Sequence, residues 1–292
     1  MTEAQDRPNR RTYQGSCHCG AFAYEIDLPE LKTVINCDCS FCSRKGNLYV
    51  LTSEEDNFRV IEGSEERLTS YTFGPRNKIH KFCPKCATSM LSRMPTGPPQ
   101  LKLLLNARAI QDIDIDHIGR RNIFNSKLDP QYLPPAHKGG MPSSIEGGQI
   151  YTGSCHCGAV TVALSCKPLE SCEERIAECS CGICQRNACV WISPTPENVV
   201  LSGSEDAVGR YVLADGLTSK IFCHTCGVNM SSIRNELSEK EILELTEQDL
   251  QDYRRGRAHT PINARTLHGV DVGRLKMIVI EGTAATPCRL HL

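Results

Sequence analysis

Short segments in which apolar and polar residues alternate fill the first 110 residues and predict β-strands. Phe22, Tyr24 and Ile26 are separated by single residues, which is the period of two expected for a half-buried strand. Further strands are predicted at 47–51, 58–62, 68–73, 78–82 and 101–105. No long stretch of this part has the 3.6-residue period of a helix. The pattern therefore predicts a mainly β domain.

The pattern occurs a second time, after a segment without periodic hydrophobicity. Residues 126–149 contain eight prolines and glycines, a composition typical of a linker. Beyond them, residues 151–159 match residues 13–21 at eight of nine positions. This repeat predicts two tandem copies of one domain. The predicted boundaries are a disordered tail at 1–11, a first domain at 12–125, the linker at 126–149 and a second domain at 150–292.

A helical insertion is predicted only in the second copy. Residues 236–253 are rich in helix formers and have apolar residues near i, i+3 and i+4 spacing. Ser238 and Glu241 fit a capping box at its start. We interpret this segment as a short amphipathic surface helix.

Charge and composition exclude several classes of function. A net charge of −1 and a pI near 6.7 provide no basic field for a phosphate backbone, so nucleic-acid binding is not expected. No apolar run approaches the roughly 20 residues that span a bilayer, and the first 11 residues lack the apolar core of a secretory signal. We therefore expect a cytoplasmic protein without membrane contact. In that reducing compartment, 18 cysteines are expected to bind metal or act in catalysis rather than form disulfides.

Fourteen cysteines form two copies of one seven-cysteine pattern. In each copy a Cys-x-Cys pair and a Cys-x-x-Cys pair supply four thiolates, the closed tetrahedral set of a structural zinc. We call these the four-cysteine sets: Cys17, Cys19, Cys83 and Cys86 in the first copy, and Cys155, Cys157, Cys223 and Cys226 in the second. The other cysteines form the three-cysteine sets: Cys37, Cys39 and Cys42 in the first copy, and Cys179, Cys181 and Cys184 in the second. Two zinc ions per domain, or four per chain, are predicted.

The three-cysteine sets leave one position of a tetrahedron open, which is the stoichiometry of a catalytic zinc. Three anionic sulfurs donate strongly to the metal, so a soft exogenous thiolate suits the open position better than hydroxide. A thiol-bearing small molecule is therefore the predicted substrate class. The alternatives are that a histidine or a buried water closes a second structural site, that the loop is metal-free, or that it holds an iron–sulfur cluster.

These motifs resemble a known family. Residues 15–20 (Gly-Ser-Cys-His-Cys-Gly), 37–42 (Cys-Asp-Cys-Ser-Phe-Cys), 44–46 (Arg-Lys-Gly) and 82–86 (Phe-Cys-Pro-Lys-Cys) are similar to the glutathione-dependent formaldehyde-activating enzymes, a family that includes centromere protein V. The resemblance covers nearly the whole chain as two copies. It implies two Mss4-like β domains, one structural and one catalytic zinc in each, and carbon–sulfur lyase activity on glutathione adducts. It also assigns the catalytic metal to the three-cysteine sets.

Three residues near the first three-cysteine set are candidates for catalysis. Arg44 and Lys45 are basic and could hold a carboxylate of glutathione, although such residues are often only solvated. His80 could act as an acid–base group, or simply pack on its strand. In the second copy Lys45 becomes Asn187, and Ser40 becomes Gly182. The first domain is therefore predicted to be the better-equipped site.

The predicted function is a zinc-dependent carbon–sulfur lyase that acts on a thiol adduct, such as a glutathione adduct, of a small molecule. One alternative is an isomerase or cyclase in which zinc acts as a Lewis acid on a small metabolite. Another is a non-catalytic scaffold in which every zinc is structural. The expected partners are small molecules, and a homodimer is left open.

Overall fold

The first half of the chain consists of two β-sheets. The computed structural model describes residues 10–52, 56–127, 131–171 and 175–282. A three-stranded sheet has the order β1-β2-β5, and a seven-stranded sheet has the order β10-β3-β4-β9-β8-β7-β6. The strands are β1 (Arg10–Ser16), β2 (Ala23–Pro29), β3 (Thr33–Cys37), β4 (Leu48–Leu51), β5 (Arg59–Glu62), β6 (Thr69–Tyr71), β7 (Ile79–Phe82), β8 (Ser89–Arg93), β9 (Leu103–Asn106) and β10 (Gly119–Ile123). One helix, α1 (Ser40–Lys45), connects β3 to β4.

The second half repeats this topology. Its sheets have the orders β11-β12-β15 and β16-β17-β18-β19-β14-β13-β20. The strands are β11 (Gln149–Ser154), β12 (Val160–Cys166), β13 (Ile176–Cys179), β14 (Val190–Ile192), β15 (Val199–Gly203), β16 (Val208–Val212), β17 (Thr218–Cys223), β18 (Asn229–Arg234), β19 (Ile262–Asn263) and β20 (Ile278–Ile280), and α2 (Gly182–Arg186) takes the place of α1. In both halves the strand leading into the three-cysteine set pairs in parallel with the last strand. The prediction of a mainly β, duplicated protein is confirmed.

The first strand begins inside the segment that was predicted to be a disordered tail. Strand β1 begins at Arg10, and Arg10 and Arg11 pair with Pro29 and Leu28. The predicted disordered tail is therefore corrected at these two residues, because they complete the edge of the three-stranded sheet, and residues 1–9 lie outside the described part. Residues 131–148 contain no helix or strand.

The insertion folds as two helices rather than one. Helix α3 (Glu239–Glu244) begins with the predicted capping box of Ser238 and Glu241, and α4 (Glu247–Arg257) begins at a second cap, Thr246, whose side chain accepts a hydrogen bond from the Asp249 amide. The cap interrupts the single helix that was predicted over 236–253. Within the described ranges, no helix has the length and apolar character needed to cross a bilayer.

The two halves pack together through contacts that repeat with approximate two-fold symmetry. Arg108 donates through Nε to the Gly46 carbonyl at 2.9 Å, and its counterpart Arg265 donates through Nε to the Ala188 carbonyl at 2.6 Å. Each arginine also reaches into the other half, to the Gln185 carbonyl from Arg108 (3.3 Å) and to the Ser43 carbonyl from Arg265 (3.4 Å).

Histidines of the four-cysteine loops make a second symmetric pair of contacts. The His18 Nδ1 lies 2.9 Å from the Tyr211 hydroxyl, and the His156 Nδ1 lies 2.6 Å from the Tyr71 hydroxyl. Apolar residues of the two halves also pack together. Phe41 and Phe82 of the first half belong to one buried cluster with Val228 and Met230 of the second. The halves therefore share cores as well as a surface.

Candidate metal centres and substrate pocket

Each four-cysteine set joins the two sheets of its half. Cys17 and Cys19 follow β1 in the three-stranded sheet, whereas Cys83 and Cys86 lie in the turn between β7 and β8 of the seven-stranded sheet. The Sγ atom of Cys19 lies 3.6 Å from the Sγ atom of Cys17 and 3.5 Å from the Sγ atom of Cys83. A tetrahedron with Zn–S bonds of about 2.3 Å has edges of about 3.8 Å, so these spacings fit a zinc ion closely.

The second four-cysteine set has the same geometry. The Cys157 Sγ lies 3.6 Å from the Cys155 Sγ and 3.5 Å from the Cys223 Sγ, and the four ligand atoms of the set lie within 4.8 Å of one another. The same spacing in two copies indicates that both four-cysteine sets are suited to the same kind of metal ion.

The three-cysteine sets are also assembled. Cys37 ends β3, Cys39 precedes α1, and Cys42 lies in its first turn, and their three Sγ atoms fall within 4.8 Å of one another. Hydrogen bonds from the Cys39 and Cys42 thiols hold the pKa of Cys37 far below its ordinary value. The Asn125 side-chain amide also donates to the Cys37 Sγ, at 3.4 Å. Cys179, Cys181 and Cys184 form the matching group.

A cavity of about 520 Å³ opens beside the first three-cysteine set. It lies on one face of the seven-stranded sheet, where Arg121, Ile35 and Tyr49 are neighbours in register across β10, β3 and β4. The volume is in the range of small-molecule sites. The lining residues are Ile35, Cys39, Tyr49, Leu51, Phe73, Pro75, Asn77, Lys78, His80, Met94, Leu101, Leu104, Arg121, Ile123 and Asn125.

Tyr49 and His80 connect this cavity to the sulfurs of the first three-cysteine set. The Tyr49 hydroxyl lies 3.7 Å from the Cys42 Sγ and 3.2 Å from the His80 Nδ1, and the Ser92 hydroxyl lies 3.0 Å from the same nitrogen. Burial, with the nearby Lys78 and His156, lowers the pKa of His80 well below its ordinary value. Burial and the Cys42 thiolate raise the pKa of Tyr49. The His80 ring is therefore neutral, with Nδ1 engaged.

The second half replaces this network with different chemistry. Trp191 occupies the position of Tyr49 and donates through Nε1 to the Cys184 Sγ at 3.3 Å. Lys220 occupies the position of His80, with its ammonium 4.7 Å from the centre of the Trp191 ring and 3.0 Å from the Ser232 hydroxyl. Burial opposes the charge on Lys220, but the neighbouring thiolates outweigh it and raise its pKa, Cys184 most strongly. A fixed cation thus lies beside the second set.

Lys45 is not in the cavity. Its side chain is 2% exposed, and its ammonium donates to the Ala87 carbonyl at 2.8 Å, the Gly227 carbonyl at 2.7 Å and the Asn187 side chain at 3.2 Å. Ala87 and Gly227 hold equivalent positions in the two halves, so Lys45 lies on the approximate two-fold axis. Burial lowers its pKa to about 8. This placement argues against the predicted role of binding a substrate carboxylate, because all three donors are already used within the protein.

Arg44 faces Tyr132 of the linker. Its guanidinium lies 4.8 Å from the centre of the Tyr132 ring and donates to the Ser40 carbonyl at 3.3 Å. It is absent from the residues that line the cavity. Of the three predicted catalytic residues, only His80 is placed at the pocket.

Four cysteines lie outside the sets. Cys166 and Cys189 are buried, and Cys172 and Cys288 lie outside the described residues.

Four polar residues of the pocket were not predicted: Asn77, Lys78, Arg121 and Asn125. Lys78 had a usable signal, because the alternation of residues 78, 80 and 82 places it on the same face as His80. Arg121 and Asn125 had none, since β10 begins with the polar sequence Gly-Arg-Arg-Asn and has no hydrophobic alternation.

The fold and the sites define a mainly β protein of two related halves, each with cysteine groups suited to metal ions. Residues 12–112 and 150–261 match the family model of the glutathione-dependent formaldehyde-activating enzyme. These regions make up more than half of the chain, so the chain belongs to this family, as its motifs predicted. A solved crystal structure of a Rhodobacter sphaeroides protein, a structural genomics target, is 30% identical over 37% of this chain and 99% of its own length, with a TM-score of 0.32.

Proposed function

We propose that the first half is a zinc-dependent carbon–sulfur lyase that acts on a thiol adduct of a small molecule, of the glutathione type. The observation that carries this proposal is the cavity that meets the first three-cysteine set at Cys39 and includes His80 in its wall. The family match, with its reference to glutathione and formaldehyde, supports the same class of reaction. A zinc ion held by Cys37, Cys39 and Cys42 would supply a Lewis acid with affinity for the substrate sulfur.

The protein residues then bind the substrate and move a proton. In the direction of adduct formation, the substrate thiol gives its proton to His80, its sulfur forms a bond to a carbonyl carbon, the C=O π pair moves to oxygen, and that oxygen takes the proton back from His80. Cleavage reverses each of these changes. His80 is the group in the cavity wall that can exchange this proton through Nε2, because its Nδ1 is held by Tyr49 and Ser92. The apolar walls limit the access of water to the reacting atoms.

We assign this activity to the first half alone. In the second half the positions of Tyr49 and His80 hold Trp191 and Lys220, so the acid–base group is lost and a cation lies beside the sulfurs. We propose that the second three-cysteine set has a structural role.

A pair of equivalent substitutions tests this assignment, with glutathione and formaldehyde as probe substrates. Cys42→Ala should lower turnover by about 100-fold or more, because it removes one of three sulfurs at the reacting centre. Cys184→Ala, the same change in the second half, should lower it by less than about threefold once folding is matched by circular dichroism. Equal losses would contradict the assignment to the first half. A parent protein without turnover on any thiol adduct would instead favour the scaffold alternative.

Metal content gives a second test. The purified chain should contain four zinc ions, and Cys42→Ala and Cys184→Ala should each reduce the content towards three, because two remaining sulfurs bind zinc weakly. Elemental analysis by mass spectrometry measures this directly. A content of two or fewer in the parent would contradict metal binding by the three-cysteine sets.

A further inference from the structure

The cavity beside the first three-cysteine set has mainly apolar walls. Some of its lining residues belong to strands of the sheet and others to the segments between the strands. The apolar side chains include Ile35, Leu104 and Ile123 from the strands and Phe73, Met94 and Leu101 from the loops. Such walls bind an aliphatic or aromatic group by removing its surface from water.

Two cations lie among these apolar walls. Lys78 is half-buried, with its ammonium 5.0 Å from the centre of the Tyr49 ring, and Arg121 precedes Ile123 by two residues on the same face of β10. Within the described part of the chain, no ion pair involves either residue, and no carboxylate lines the cavity. No carboxylate therefore competes with an anionic ligand for the two charges, and the Lys78 charge also helps to lower the pKa of Cys37.

The second half lacks this arrangement. Strand register places Ile278 at the position of Arg121, since Arg121 pairs with Ile35 and Ile278 pairs with the equivalent Ala177. Thr218 holds the position of Lys78, two residues before the lysine that replaces His80. Both cations thus occur only in the half that combines the cavity with His80.

From these observations we infer that the pocket takes a small anion with an apolar body, and that Lys78 and Arg121 bind its acidic group while Arg44 and Lys45 do not. This inference rests on the proposed function and specifies the substrate class of the same site. Lys78 and Arg121 are specificity-determining residues in this account, and the reaction itself is unchanged.

Four probes separate the contributions of charge, apolar body and sulfur. They are 2-mercapto-3-phenylpropanoate, its primary amide, the sulfur-free 3-phenylpropanoate, and glutathione. Binding to the zinc-loaded full chain is measured by isothermal titration calorimetry. The thiol acid should bind roughly tenfold more tightly than its amide, because the amide loses its charge-assisted contacts. It should also bind more tightly than glutathione, because its phenyl group matches the apolar walls.

Variants assign the charge effect to residues. Lys78→Met and Arg121→Gln should each weaken binding of the thiol acid by about three- to fivefold and leave binding of the amide unchanged. Arg120→Gln is the matched control: it removes the same charge from the adjacent position of β10, and Arg120 does not line this cavity. It should affect neither probe.

The outcomes distinguish this inference from the proposed function. Equal binding of acid and amide, or a preference that survives both Lys78→Met and Arg121→Gln, would overturn the inference. Tighter binding of glutathione than of the thiol acid would overturn the apolar-body part of it. If 3-phenylpropanoate binds as tightly as the thiol acid, sulfur makes no contact at the three-cysteine set. The proposed function would then fail while the anion site stands.

Discussion

Cys17→Ala is expected to lower the free energy of unfolding by at least about 4 kcal/mol and to release one zinc ion per chain. Cys17 follows the last residue of β1 and is fully buried, and its Sγ belongs to the group completed by Cys83 and Cys86. A metal ion in this group would tie the three-stranded sheet to the seven-stranded sheet of the same half. Losing one of the four cysteine ligands would remove that link and would leave the other three thiols buried without a metal ion.

Urea denaturation followed by circular dichroism measures the loss, and a chromophoric chelator measures the released zinc. Cys166→Ala is the matched control, because Cys166 is equally buried but belongs to none of the four cysteine groups. Its cost should be about 1 kcal/mol, as for other modest losses of packing in a core. If Cys17→Ala and Cys166→Ala cost the same, the four-cysteine set contributes nothing to stability beyond packing, and the structural-metal interpretation is wrong.

The cysteine pattern predicted the sites better than the residues beside it did. Thiol spacing is specific, and its repetition in two copies identified both kinds of cysteine group. In the structure the sulfur atoms of each predicted group lie close together. Arg44 and Lys45 lie close to Cys42 in sequence, but Arg44 faces Tyr132 of the linker and Lys45 faces the second half. Position next to a ligand in sequence does not determine the direction in which a side chain points.

The fold was predictable where apolar residues alternate or cluster along a strand, and less so elsewhere. Strands β4, β5 and β7 fall within predicted segments because apolar and polar residues alternate or cluster there. Strand β8 was missed: four of its five residues are buried, so both faces are covered and the alternation disappears. Strand β10 was missed for the opposite reason, since its first four residues are exposed and polar. The packing of one half on the other leaves no periodic signal in the sequence.

Lys45→Met is the substitution that tests this packing most directly. The Lys45 ammonium is held by two carbonyl oxygens, one from each half, and by the Asn187 side chain. Methionine fills a similar volume but donates no hydrogen bond, so three buried acceptors lose their donor. At about 1–3 kcal/mol for each unsatisfied group, the free energy of unfolding should fall by at least about 3 kcal/mol. Urea denaturation measures the change, and turnover of the folded variant should stay within about twofold of the parent.

Lys81→Met provides the comparison. Lys81 is also a partly buried lysine of the first half, but its ammonium contacts Glu65, through the backbone carbonyl at 3.2 Å and the carboxylate at 3.7 Å. Its replacement should cost less than about 1 kcal/mol, because a pair near solvent contributes little. A similar small loss for Lys45→Met would mean that the contacts across the approximate two-fold axis are not what holds the halves together. A large loss of turnover with stability unchanged would instead return Lys45 to the substrate site, against its placement in the structure.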